Sequence, residues 1–286
     1  MYRFRFVLIS FFFFSSSISL SQNNKVIVKP EKVLYKSTSQ TDLNLYFYRP
    51  LEFDNSKLYN CIIFFHGGGW NSGDYKQFER QSMYFASRGM VAVSAEYRIK
   101  NKHGTSPIQA IEDAKSAIRF LRLNANEFSI DPDRIAAAGG SAGGHLAAVT
   151  ANIDLFDNID EDLGISSKPN LLVLYNPVID FGLKKWLWID NPSDASPIHN
   201  ISKGSPPTII LTGTKDKIVP FETIINYKKI MESVGSRCDV VLYDGAEHSF
   251  FNRGDDFIDT ILKSDIFLKS NWYLSGEPTI KEQYSK

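Results

Sequence analysis

From residue 61 onward the chain alternates between short, mostly apolar runs and longer stretches where apolar residues recur every three or four positions. Cys61-Ile62-Ile63-Phe64-Phe65, Met90–Ala95, Arg134–Ala138, Leu171–Tyr175, Thr208–Leu211 and Cys238–Tyr243 are the runs. They read as strands, and the unbroken apolar ones predict burial on both faces. Between them, Lys76–Arg88 (Phe78, Met83, Tyr84, Phe85) reads as a helix stopped by Gly89. Pro107 opens a second helix, with Ile108, Ile111, Ala114, Ile118 and Leu121 on one face. A third helix starts near His145, a fourth spans Pro220–Val234, and a closing helix is expected over roughly 254–270. Upstream, Val26–Val28, Lys32–Tyr35 and the period-two stretch Leu43–Tyr48 predict a β-hairpin at a sheet edge. Asp131-Pro132-Asp133 reads as a turn into the third run, and 181–206 as irregular. Strands alternating with helices imply one α/β domain over 22–286, with a mostly parallel central sheet and helices on both faces.

Composition changes this picture only at the N-terminus. The 286 residues are 43% hydrophobic and 22% charged, ordinary values for a globular domain. Lys+Arg and Asp+Glu stand at 32 each, so charge gives no reason to expect nucleic acid or an anionic membrane as partner. Arg3 and Arg5, the apolar stretch Phe6–Phe14 and the serines after it have the shape of a secretory signal peptide over residues 1–21. Ser19 and Ser21 are the small residues before a cut between Ser21 and Gln22, giving a secreted or periplasmic protein. The apolar stretch is well short of the roughly 20 residues a span needs, so no stable membrane insertion is expected. Cys61 and Cys238 each begin a strand, and those strands lie apart in such a sheet, which favours two buried thiols.

The candidate chemistry gathers where strands end. Gly139-Gly140-Ser141-Ala142-Gly143 follows a strand and opens a helix, the setting a G-x-S-x-G turn needs to raise a serine hydroxyl above a sheet. His66-Gly67-Gly68-Gly69-Trp70 follows another strand, and its glycines let backbone N–H groups face an anion. Asp216 and His248 also fall just past strands, where open α/β sheets put their sites. A serine needs a base, and a carboxylate on the far imidazole nitrogen fixes the tautomer. Of the five histidines only His248 follows the last strand; His66 sits in the glycine loop, His103 and His199 in irregular polar stretches, and His145 one turn into a helix. Asp216 has a rival in Asp180, and is preferred because Gly213 permits a tight strand-end turn. Gly68, Gly69 and Ala142 are the candidate oxyanion donors, and Trp70, His66 and Ser249 the candidate substrate pocket. Asp74 and Glu96 are expected to hold loops, and Trp186 and Trp188 to pack a core or lid. No His/Cys/Asp cluster has metal-site spacing and no glycine loop matches a nucleotide fingerprint, so no cofactor is expected.

His66–Trp70, Glu96-Tyr97-Arg98, Asp131–Ile135, Gly139–His145, Ala195-Ser196-Pro197, Gly213–Asp216 and Glu247–Phe250 together resemble the HGGG-type esterase/lipase branch of the α/β-hydrolases, over roughly residues 40–270. The closest resemblance is to secreted bacterial acetyl esterases acting on polysaccharides. It implies an α/β-hydrolase fold, Ser141 as nucleophile, Asp216 as acid, His248 as base, and an ester substrate, small or carbohydrate-borne, such as acetylated xylan. Ser249 departs from the pattern, since these esterases usually have glycine after the histidine. An arylformamidase-like hydrolase, whose members also carry an HGG-x-W loop, and an inactive hydrolase-fold binding module are the alternatives.

Overall fold

The computed structural model describes residues 29–183 and 191–284. The leader over 1–21, the strand expected at Val26–Val28, and Trp186 and Trp188 therefore lie outside the described residues. In chain order the strands are β1 (Glu31–Ser37), β2 (Asp42–Tyr48), β3 (Tyr59–Phe65), β4 (Val91–Ala95), β5 (Ile130–Gly140), β6 (Leu171–Tyr175), β7 (Thr208–Gly213) and β8 (Cys238–Tyr243). The helices are α1 (Glu79–Ser87), α2 (Lys100–His103), α3 (Pro107–Leu123), α4 (Ala125–Phe128), α5 (Ala142–Asn152), α6 (Phe221–Ser233), α7 (Gly254–Ser270) and α8 (Ile280–Tyr284).

One eight-stranded sheet runs in the order β1-β2-β4-β3-β5-β6-β7-β8. The β1–β2 hairpin is antiparallel and joins β4 antiparallel, and every pair from β4 to β8 is parallel. The mostly parallel sheet is the one expected from the alternating runs, and its order is that of the α/β-hydrolase fold the resemblance implies. The apolar run of β3 explains its central place. Cys61, Ile63 and Phe65 point to one core, with Ile111, Ile118 and Leu146, while Ile62 and Phe64 point to the other, with Phe78, Phe85 and Phe251. A strand buried on both faces cannot alternate polar and apolar residues without stranding a polar group. Cys61 and Cys238 are free and buried, on strands separated by β5, β6 and β7.

Local chemistry sets the element ends. Ser106 caps α3 by accepting from Ile108 N–H, while Gln109 Oε1 accepts from Ser106 N–H and Pro107 fills the first turn. The stretch from Lys76 begins differently from the expected single helix: a 3₁₀ turn over Tyr75–Phe78 precedes α1, and Asp74 Oδ1 accepts from Lys76 N–H at 2.9 Å. Asp131-Pro132-Asp133 lies inside β5 as a bulge, because β3 pairs Tyr59 with Ile130 and Cys61 with Ile135. Asp131 Oδ1 accepts Asp133 N–H there, a turn contained within a strand.

Candidate active site

The elbow between β5 and α5 begins with backbone that cannot carry bulk. A methyl group on Gly143 would sit 2.0 Å from the Phe65 carbonyl oxygen and 2.4 Å from that of His66. With hydrogen there, α5 packs directly on the end of β3. Ser141 sits at φ 54°, ψ −118°, outside the broadly allowed regions for an L-residue. The surrounding bonds hold that conformation: Ser141 N–H donates to the Tyr175 carbonyl at 2.9 Å, and Ser141 O accepts from His145 N–H at 3.0 Å and Val178 N–H at 3.2 Å.

Two loops from strands farther along the sheet reach this hydroxyl. His248 Nε2 is 2.9 Å from Ser141 Oγ, and His248 Nδ1 is 2.7 Å from Asp216 Oδ2. With Nδ1 protonated toward the carboxylate, Nε2 is left as acceptor for the serine proton. Asp216 Oδ1 accepts the N–H groups of Ile218 (2.8 Å) and Val219 (2.9 Å), so both carboxylate oxygens are bonded. Burial pushes the Asp216 carboxyl up, but the hydrogen bonds from His248, Val219 and Ile218 outweigh it and hold the group below its ordinary range. Asp216 thus stays ionised beside the imidazole. Asp180 instead accepts Gly182 N–H within its own turn.

The glycine loop lies against the elbow. A methyl group on Gly67 would be 3.5 Å from Ser141 Cβ. Gly68 adopts φ +119°, where a side chain would strike the Ser72 carbonyl at 2.1 Å, and Gly68 O accepts from Asn71 and Ser72 N–H. Ala142 opens α5, so its N–H has no carbonyl one turn back. Ala142 adjoins Ser141 directly, and Gly68 and Gly69 follow the Gly67 that lies against it.

His66 is a brace. It is 3% exposed, its Nδ1 is 2.7 Å from Gly67 O, and its ring stacks on Tyr97 at 4.2 Å. Burial drives its pKa down to about 4, which keeps it neutral. Trp70 fills the interior beneath the loop, edge-on to His145 and Phe181, and also borders a cleft of about 450 Å³ running from Gly68 and Gly69 toward Lys100 and Pro107. Ser249 is part-buried and left-handed at φ 67°, a conformation glycine adopts without strain, which accounts for the glycine expected there.

Three further supports hold these loops. Tyr97 OH donates to His66 O at 2.7 Å, Gln77 Oε1 accepts Gly67 N–H, and Asn176 Oδ1 accepts Ser249 N–H. Only Tyr97 carried a signal in the sequence, through the motif Glu96-Tyr97-Arg98. In that motif Glu96 bonds Asn44 and Tyr46, and Arg98 forms a buried two-point pair with Asp113. Asp74 thus caps the turn that follows the glycine loop, whereas Glu96 ties the end of β4 to strand β2. Among the described residues no group of acidic, histidine or cysteine side chains could hold a metal ion, and no helix is long and apolar enough to cross a membrane.

The BD-FAE family model matches residues 45–190, about half of the chain. Esterase LipC of Mycobacterium tuberculosis is 30% identical over 218 residues, covering 66% of this chain and 52% of LipC. An acetylxylan esterase of Xylanibacter ruminicola is 25% identical over 241 residues, 78% of this chain and 46% of that protein. The chain thus spans about half the length of these relatives. The propionate-bound structure of Thermogutta terrifontis esterase 2 superposes with a TM-score of 0.83 at 40% identity, covering 87% of this chain and 97% of that one.

Proposed function

The chain belongs to the BD-FAE family of α/β-hydrolases, and on that premise we propose that it is a serine carboxylesterase acting on short acyl esters, acetyl esters of polysaccharides foremost. The observation that carries this reading is the continuous hydrogen-bonded line from Ser141 Oγ through His248 to Asp216, at 2.9 and 2.7 Å.

In this reading Ser141 Oγ attacks the ester carbonyl carbon as its proton passes to His248 Nε2. The carbonyl π electrons move onto oxygen, and the N–H groups of Gly68, Gly69 and Ala142 hold that charge, each worth on the order of 10²–10³ in rate. Collapse breaks the bond to the alcohol, which leaves with the proton from His248. Water then attacks the acyl-serine with His248 as base, releasing the acid and restoring Ser141. Asp216 keeps its charge throughout and stabilises the imidazolium. The residues supply nucleophile, base and oxyanion donors, so no cofactor enters the scheme.

Short acyl groups are favoured by the propionate seen on esterase 2, and a carbohydrate alcohol by the acetylxylan esterase relative. The basic and apolar leader supports export, with cleavage before Gln22. Acetate release from acetylated xylan, beside hydrolysis of p-nitrophenyl esters of rising chain length, tests the reading; N-formylkynurenine is the competing substrate. Preference for N-formylkynurenine over every ester would replace it with amide chemistry.

A further inference from the structure

Asn176 follows β6 directly, fully buried and at a left-handed φ of 35°, which few residues other than glycine, asparagine and aspartate tolerate. Its backbone N–H bonds the Leu211 carbonyl on β7 at 2.8 Å, so the residue is fixed to the sheet. Its Oδ1 accepts Ser249 N–H at 3.2 Å, and because that partner is a donor the atom facing it must be the oxygen. Its Nδ2 is buried with no hydrogen-bond partner among the described residues. Such an orphan donor costs on the order of 1–3 kcal/mol, so packing alone does not account for an amide here.

The adjoining residue explains what the oxygen does. Tyr175 O accepts the Ser141 N–H, while Asn176 Oδ1 accepts the N–H one residue past His248. Two consecutive residues at the end of β6 thus hold the nucleophile on one side and the base loop on the other. The hydrogen bonds of Thr214, Lys215 and Tyr243 secure that loop only as far as Ala246. Resting on the hydrolytic reading above, we propose that Asn176 is a positioning residue that sets the separation of His248 Nε2 from Ser141 Oγ.

Asn176→Gly keeps the left-handed backbone and removes the acceptor; Asn176→Asp keeps both. With p-nitrophenyl acetate the glycine variant should lose kcat by roughly tenfold to a hundredfold with KM little changed, the scale of a small misplacement of a reacting group. The aspartate variant should recover most of it. A second readout does not need turnover: the downfield proton NMR signal of the His248 Nδ1–H···Asp216 bond should broaden in Asn176→Gly and persist in Asn176→Asp. Asn176→Ser, too short to reach Ser249, gives the same comparison if the glycine variant does not fold. Wild-type kcat and an undiminished signal in the acceptor-less variant would overturn the proposal. A wild-type protein that hydrolyses no ester, yet whose signal broadens in Asn176→Gly, would sink the esterase reading and leave the positioning role standing.

Discussion

The two halves of the site are held by different physics. Ser141 follows β5, an interior strand fifth from the β1 edge and fourth from the β8 edge with β3 and β6 beside it, and its position follows from backbone contacts that only hydrogen at Gly143 allows. His248 rides on a loop after β8, the edge strand, whose residues are mostly half-buried, and it is held by side-chain hydrogen bonds to Asp216 and through Ser249 to Asn176. Close backbone packing resists change because a small volume error has nowhere to relax. Side-chain tethers yield more readily. Ser141 is therefore the fixed point, and His248 is brought to it.

The largest expected effect removes the contrast by disabling either half. Ser141→Ala and His248→Ala should each lower kcat by about 10⁵–10⁶, because the groups act as a unit, and Asp216→Asn by on the order of 10⁴. Purified variants assayed on p-nitrophenyl acetate check this; a His248→Ala enzyme within tenfold of wild type would mean another base. Next, Gly143→Ala should destabilise the fold by more than about 3 kcal/mol, since its methyl group meets the rigid Phe65 carbonyl rather than a movable side chain. Urea unfolding measures it, and a wild-type midpoint would show that the elbow is less tightly packed than described.

A smaller effect comes from pH. Burial pushes His66 and His145 each down to about 4 from an ordinary value of 6.5. The unfolded chain therefore takes up these protons first, so the stability they contribute is complete above about pH 6.5 and is lost as pH falls toward 4, by a few kcal/mol. Asp216, held below its ordinary value, adds a loss only as pH falls further through its folded pKa. Urea midpoints across pH 7 to 4.5 read the first loss, and His145→Gln should flatten it. The smallest effect lies in the His248 loop: Ser249→Gly relieves the left-handed backbone by more than it frees the unfolded chain and should stabilise the protein by up to about 1 kcal/mol, seen as a rise in melting temperature; an unchanged or lower melting temperature would contradict strain at this position.

The same division governs what can be read from residues alone. The strands of the parallel core are visible because a strand buried on both faces is mostly apolar, and Leu171–Tyr175 coincides with β6 to the residue. The elbow is visible because its steric demand is local and selects glycine. The bulge in β5 is not, since Asp131-Pro132-Asp133 has turn chemistry whether it ends a strand or interrupts one. Gln77, Asn176 and the Arg98–Asp113 pair are invisible for another reason: each acts on a partner distant in sequence, with no period to betray it. Trp70 was legible as a neighbour of the glycine loop, but adjacency along the chain did not reveal that its ring turns inward.

The account stands or falls on Ser141 becoming acylated with the help of His248. The direct measurement is rapid mixing with p-nitrophenyl acetate, acid quenching, and mass analysis of the proteolysed chain. The account predicts one acetyl group on the peptide containing Ser141, accumulating in step with a burst of nitrophenol where deacylation is the slower step, and absent from His248→Ala. Acetyl found on a different residue, or turnover with water alone and no acylated serine under conditions that trap the intermediate, would contradict it.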